Sequence, residues 1–145
     1  MIRRLKTFFN LSASRKKMLV QTYCLSFYTF ILFSFFKKQA RFGQKATVPL
    51  PVQKPDPRAA DIAYAIQTIA RYVPWKDVCR HQAYQAMKLC NHYQLSCIVF
   101  VGFKKDVEKK EIQAHAWAVA GTQIIAGFCN PEEYKVQSIY KNKWE

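Results

Sequence analysis

The hydrophobic and polar positions of this chain change period along its length, and the periods predict different elements. Residues 1–12 form a short basic amphipathic piece, and Ser12 or Ser14 is the expected N-cap of the next helix. Residues 18–36 carry no charged side chain and predict one long apolar helix. Two more helices are predicted, over 61–72 and from Asp77, as N-cap, to about His92. Each has one apolar face: Ile62, Ala65, Ile66, Ile69 and Ala70 in the first, and Ala83, Ala86, Met87 and Cys90 in the second.

Three segments rich in β-branched and aromatic residues come after these helices, and that composition is typical of strands. We predict strands over 95–103, 112–120 and 123–128. A charged turn at 104–110 joins the first two, and a tight hairpin turn at Gly121-Thr122 joins the last two. Helices succeeded by strands in this order indicate an α+β fold.

Charge divides the chain into two unlike parts. The whole chain has 23 basic and nine acidic residues, a net charge of +14. Residues 1–45 hold ten of the basic residues and no acidic one, whereas 46–145 hold thirteen basic and nine acidic residues. We therefore predict a basic, apolar N-terminal helical segment over 1–45, a proline-rich linker over 46–57, and a domain over 58–145.

The apolar stretch 18–36 lies between two basic clusters, and four interpretations compete for it. A helix that is buried or covered by a partner is the one we favour, because polar residues interrupt the stretch. The alternatives are an interfacial helix at an anionic membrane, a transmembrane span and a signal sequence. Peripheral membrane contact through 18–36 is thus one expected interaction.

Composition excludes several classes of protein. Half of the residues are hydrophobic and 15% are aromatic, which argues against intrinsic disorder. The five cysteines are odd in number and form no CxxC pair, which argues against a disulfide scaffold and a zinc site and favours a reducing, cytoplasmic setting. Basic residues cluster around the apolar helix and no nucleic-acid motif is present, so we expect no nucleic-acid partner. We also expect no bound metal and no cofactor.

Cys79 is the cysteine most suited to chemistry. It lies in the first turn of the predicted helix, where free backbone amides and the helix dipole favour a thiolate. Arg80 and His81 are expected to add positive charge nearby. The simpler alternative is a buried structural thiol.

His115 lies inside an otherwise apolar predicted strand. With a period of two, His115 and Trp117 share one face, while alanines occupy the other. Such fixed placement suits a general base, although a structural core histidine is the simpler alternative. A thiol at a helix start with a histidine on a later strand is the arrangement of cysteine peptidases.

Residues 63–128 resemble the transglutaminase-like leader peptidases of lasso peptide biosynthesis. The matching features are Arg71-Tyr72-Val73-Pro74 ending a helix, Cys79 opening the next, the strand 98–102, and Ala114-His115-Ala116-Trp117 with Gly121 closing the hairpin. The N-terminal apolar helix between basic clusters is similar to the N-terminal segment of that family.

The resemblance implies a papain/transglutaminase-like cysteine peptidase fold and the removal of a leader peptide from a ribosomally made precursor. Cys79 would attack the carbonyl between leader and core, and His115 would move the proton. The backbone N–H of Cys79 would stabilise the oxyanion. The implied partners are the precursor's leader, a separate leader-recognition protein and an ATP-dependent lasso cyclase.

The third catalytic residue departs from the family pattern, which has an Asp after the hairpin. Counting along the motif reaches Gly127, and pairing across the turn reaches Phe128, and neither side chain can orient an imidazole. Asn130 is the first candidate for this position, followed by Glu132 and Gln113. A backbone carbonyl could also serve, or the chain could be an inactive scaffold that binds precursor and cyclase.

Overall fold

The computed structural model describes residues 2–47 and 54–144, which form an α+β fold. In chain order the elements are α1 (Ile2–Phe9), α2 (Ala13–Ser34), β1 (Gln44–Lys45), α3 (Pro57–Tyr72), α4 (Cys79–His92), β2 (Ile98–Asp106), β3 (Glu111–Ala120), β4 (Gln123–Ala126), a short 3-10 helix (Pro131–Glu133) and β5 (Lys135–Lys141). The described strands form one five-stranded antiparallel sheet in the order β1-β5-β2-β3-β4, so the α+β prediction is confirmed.

The central part of the sheet is the hairpin of β2 and β3. Its register runs from Ile98 opposite Val119 to Asp106 opposite Glu111. Strand β2 starts and ends three residues later than predicted. At its end, the Asp106 carboxylate closes the turn by accepting hydrogen bonds from the backbone N–H groups of Glu108 and Lys109. The three predicted strands are thus present with shifted ends.

Strands β1 and β5 were not predicted. β5 pairs with β2 on the side away from β3, and β1 pairs with β5. The sequence of β5 lacks the regular alternation of apolar and polar residues that marks a strand with one buried face. In the structure all of its side chains are exposed or only half-buried.

Helix α3 begins four residues earlier than predicted. The Asp56 carboxylate caps it by accepting a hydrogen bond from the Arg58 N–H at 2.9 Å, and Pro57 occupies the first turn, where its missing N–H costs nothing. The end of the predicted linker is therefore helical, while residues 48–53 of that linker lie outside the described residues.

The N-terminal segment shares the hydrophobic core of the rest of the fold. Ser12 caps α2 by accepting from the Arg15 N–H, as the sequence predicts. Helix α2 packs against α3 and α4, and its Met18, Leu19 and Phe33 are buried in the same core as the apolar side chains of those two helices. One face of the apolar helix is therefore covered by the chain itself. No helix among residues 2–47 and 54–144 combines the length and apolar character needed to cross a membrane.

Helix α4 lies against β3, and small residues line this contact. The four residues predicted as the buried face of α4 are all buried: Ala83, Ala86, Met87 and Cys90. On β3 the alternate residues are buried in the same core: Ala116, Ala118 and Ala120. Because all of these side chains except that of Met87 are small, the helix and the strand can approach closely.

Candidate active site

Cys79 is the first residue of α4, and its side chain is partly exposed. Backbone amides in the first turn of a helix point away from the helix body and can serve as hydrogen-bond donors to an anion. Helix α4, which begins at Cys79, packs against β3, the strand that carries His115.

The polar residues that precede Cys79 do not cap the helix as predicted. Val78 is the N-cap residue and makes no side-chain cap bond. The Asp77 carboxylate instead accepts hydrogen bonds from Gln85 Nε2 on α4 at 2.9 Å and from Ser26 Oγ on α2 at 3.4 Å. Burial raises the pKa of Asp77, and these two hydrogen bonds partly oppose that shift. The prediction of Asp77 as N-cap is therefore wrong.

His81 does not provide the positive charge expected beside Cys79. Its ring is buried against Phe33, with ring centroids 5.1 Å apart, and its Nδ1 lies 3.2 Å from the carbonyl oxygen of Lys76. Burial lowers the pKa of His81, so the ring is mostly neutral at pH 7. The neighbouring Arg80 guanidinium lies over the Phe33 ring at 5.7 Å.

His115 is half-buried on β3 with its ring held on two sides. Its Nε2 lies 2.8 Å from the carbonyl oxygen of Gly127. Its ring stacks on Tyr134, with centroids 5.2 Å apart, and on Trp117 at 6.3 Å. A carbonyl oxygen can only accept, so Nε2 carries the proton in this bond, and Nδ1 of the neutral ring is left with the lone pair. The contact therefore holds the neutral ring in the tautomer whose Nδ1 can accept a proton.

The backbone at Gly127 requires glycine. Its φ is +65°, and a Cβ built there would lie 2.1 Å from the Ala116 carbonyl oxygen and 3.0 Å from Trp117 Cα. The pairing of β3 with β4 shifts register between Ala118 and Val119, just before this point. Gly127 has no side chain to orient an imidazole, but its backbone carbonyl oxygen lies at hydrogen-bond distance from the His115 ring, which fits the alternative of a backbone carbonyl.

The three polar side chains considered for the third position have different surroundings. Asn130 is exposed, and its Oδ1 accepts from the Glu132 N–H at 3.3 Å, which caps the short 3-10 helix. Gln113 Nε2 donates to Asp106 Oδ2 at 3.1 Å, and Glu132 is exposed in the first turn of that 3-10 helix. The structure thus brings the Gly127 carbonyl to His115, and a catalytic role for Asn130 stays a prediction.

Cys129 lies two residues after Gly127 and is partly exposed. Burial raises the pKa of the Cys129 thiol, and the charges of Glu133 and Cys79 raise it further. Gly127 itself contacts the His115 ring through its carbonyl oxygen. Neither Cys129 nor Tyr134 was singled out in the sequence, where no local pattern distinguishes them.

This arrangement suits thiol chemistry on a carbonyl compound. It supplies a cysteine at a helix N-terminus and an imidazole with a fixed tautomer. In the part of the chain that the structure describes, no group of three or more His, Cys, Asp or Glu side chains is placed to hold a metal ion.

An α+β fold with a cysteine opening a helix and a histidine on the adjoining sheet defines a class of papain- and transglutaminase-like proteins. A model of the transglutaminase-like superfamily matches residues 28–138, and the chain belongs to that superfamily, which includes cysteine peptidases. The match begins within α2 and ends within β5. Searches of curated proteins and of solved structures gave no significant match.

Proposed function

We propose that this chain is a cysteine peptidase that removes the leader from a ribosomally made lasso peptide precursor. The observation that carries the proposal is the 2.8 Å contact between His115 Nε2 and Gly127 O, which leaves Nδ1 as a base on the strand that packs against the Cys79 helix. Membership of the transglutaminase-like superfamily supports the thiol chemistry. The choice of a leader peptide as substrate rests on the resemblance of residues 63–128 to the lasso leader peptidases.

The proposed reaction passes through a thioester. His115 Nδ1 takes the proton of the Cys79 thiol, and Sγ attacks the carbonyl carbon of the bond between leader and core. The backbone N–H of Cys79 donates to the oxyanion of the tetrahedral intermediate. As this intermediate collapses, the imidazolium protonates the leaving amine of the core. Water deprotonated by His115 then hydrolyses the thioester and releases the leader carboxylate with the free thiol.

The proposed function implies three partners. The leader of the precursor binds at the site, and a separate recognition protein presents it. An ATP-dependent cyclase then uses the new amino terminus of the core. We expect genes for a short precursor and an asparagine-synthetase-like cyclase next to the gene for this chain.

The product of the reaction in ¹⁸O-water tests the proposal. The chain, the recognition protein and the precursor are incubated in labelled water, and the leader is examined by mass spectrometry. Hydrolysis of a thioester places one ¹⁸O in the leader's new carboxylate, and the core appears with a free amine. The Cys79→Ala chain is the matched control and should give neither product.

Two outcomes would contradict the proposed hydrolysis. A leader joined to an amine and lacking ¹⁸O would identify a transferase, which the same superfamily chemistry permits. Tight binding of the leader without any product would identify a scaffold. Glycine at 127, where the family pattern has Asp, is the observation that favours the scaffold as the second candidate.

A further inference from the structure

The outward face of α2 is apolar and has no cover among the described residues. Three aromatic side chains on this helix are about half exposed, and two exposed phenylalanines continue the surface past its end. We call them, with Val20, the aromatic face: Val20, Tyr23, Phe27, Tyr28, Phe35 and Phe36. Trp75 extends this surface, since its ring contacts those of Tyr23 and Phe27 at 5.5 and 5.3 Å.

The inward face of the same helix is more polar than the outward one. Thr22, Ser26 and Thr29 are at most 1% exposed, and the Thr22 and Thr29 hydroxyls donate to the carbonyls of Met18 and Leu25 in their own helix. Small polar residues thus share the inward face of α2 with Met18, Leu19 and Phe33, while several other large apolar residues of the helix are exposed. A contiguous exposed apolar surface of this kind is typical of an interaction site.

A basic groove of about 680 Å³ adjoins the aromatic face. Tyr28 belongs to both surfaces. The other polar or charged side chains that line the groove come from the segment after α2 and from α4, and none of them is acidic: Lys38, Gln39, Arg41, Tyr84 and Lys88. Lys16 and Lys17 flank the other end of the aromatic face, and residues 1–45 contain no acidic residue at all.

We propose that the aromatic face and the basic groove together dock the chain on an anionic phospholipid membrane. The aromatic side chains would enter the boundary between headgroups and acyl chains, with α2 parallel to the surface. Lys38, Arg41 and Lys88 would bind lipid phosphates in the groove. This binding is independent of the proposed peptidase activity.

Charge complementarity favours a membrane over a protein partner. Cations lie at both ends of the aromatic face and along its side, which is where an interfacial helix binds anionic headgroups, and residues 1–45 contain no acidic residue for a basic protein partner. Tyrosine and tryptophan, each apolar at one end and polar at the other, are typical of the membrane–water boundary. A surface with both features matches an anionic bilayer in chemistry and in charge.

Flotation of the full chain with lipid vesicles tests this proposal. We expect binding to phosphatidylcholine vesicles that contain about one-third phosphatidylglycerol, and at least about tenfold weaker binding to pure phosphatidylcholine. Salt at about 0.5 M should release the chain, because it screens the attraction between lysines and phosphates. Lys38→Glu/Arg41→Glu should weaken binding at least about tenfold, and Phe27→Ser/Phe35→Ser should do the same.

The matched control places the same charge change elsewhere. Lys105 and Lys109 are exposed in the β2–β3 hairpin, so Lys105→Glu/Lys109→Glu should bind within about twofold of the unmodified chain. If Lys38→Glu/Arg41→Glu and Lys105→Glu/Lys109→Glu weaken vesicle binding equally, binding depends on net charge and not on the basic groove. That result would overturn the proposal. No binding to anionic vesicles would also overturn it. If Phe27→Ser/Phe35→Ser instead abolishes a dimer seen in sedimentation, a second copy of the chain covers the aromatic face and the membrane proposal is wrong.

Discussion

Cys79→Ala is expected to lower the rate of precursor cleavage by at least about a thousandfold, because removal of the nucleophile leaves only binding and oxyanion stabilisation. The rate is measured by mass spectrometry of the released leader under single-turnover conditions. Cys79 is partly exposed at the start of α4, so the variant should keep the circular dichroism spectrum and melting temperature of the unmodified chain.

Two other cysteines are the controls for this variant. Cys24 is exposed on α2, and Cys129 is partly exposed two residues after Gly127. Cys24→Ala and Cys129→Ala should each change the rate less than about threefold, since neither thiol takes part in the reaction. Loss of cleavage in Cys129→Ala with full activity in Cys79→Ala would show that Cys129, and not Cys79, is the nucleophile.

Gly127→Ala is expected to lower both stability and activity. The new Cβ would lie 2.1 Å from the Ala116 carbonyl oxygen at a φ of +65°, so the backbone must move and take the Gly127 carbonyl away from His115. We expect a loss of about 3 kcal/mol in the free energy of unfolding. Cleavage by the folded fraction should fall at least about a hundredfold, because the imidazole loses its fixed tautomer. Urea unfolding and kcat provide the two readouts.

Gly121, a second glycine with left-handed backbone, is the control that distinguishes the loss of stability from the loss of activity. Gly121 has a φ of +61°, but a Cβ there would meet its nearest atom at 3.1 Å. Gly121→Ala should lose about 1 kcal/mol and keep its kcat. Gly127→Asp, which supplies the residue of the family pattern, should be unstable and inactive in this backbone. A rise in activity in Gly127→Asp would show that the site needs a carboxylate and not the carbonyl.

The strongly periodic parts of the fold could be predicted from the sequence. Helices α3 and α4 and strands β2 to β4 carry clear apolar patterns, and each is present with shifted ends. Strand β5 could not be predicted in this way, because none of its side chains is fully buried and its pairing with β2 depends on distant residues. Strand β2 ends later than predicted, at Asp106, whose carboxylate fixes the start of the turn.

Part of the candidate site could likewise be predicted from the sequence, and part of it could not. Cys79 and His115 stand out because their types and their positions in a helix and a strand are visible locally. The group that contacts His115 is a backbone carbonyl, which any residue possesses, and it lies where the pairing of β3 with β4 shifts register between Ala118 and Val119. No pattern of residue types encodes that shift. The buried face of α2 could not be predicted from polarity either, since it contains Thr22 and Thr29. Their hydroxyls can be buried because they donate to carbonyl oxygens of the same helix.

The central proposal is that His115, held by Gly127, activates Cys79, and the alkylation rate of Cys79 tests it without any substrate. Peptide mapping after brief treatment with iodoacetamide at about pH 7 gives the rate at each thiol, with the exposed Cys24 as internal standard. We predict that His115→Ala slows alkylation of Cys79 at least about tenfold and leaves Cys24 unchanged. Equal rates at Cys79 in the two chains would contradict the proposal.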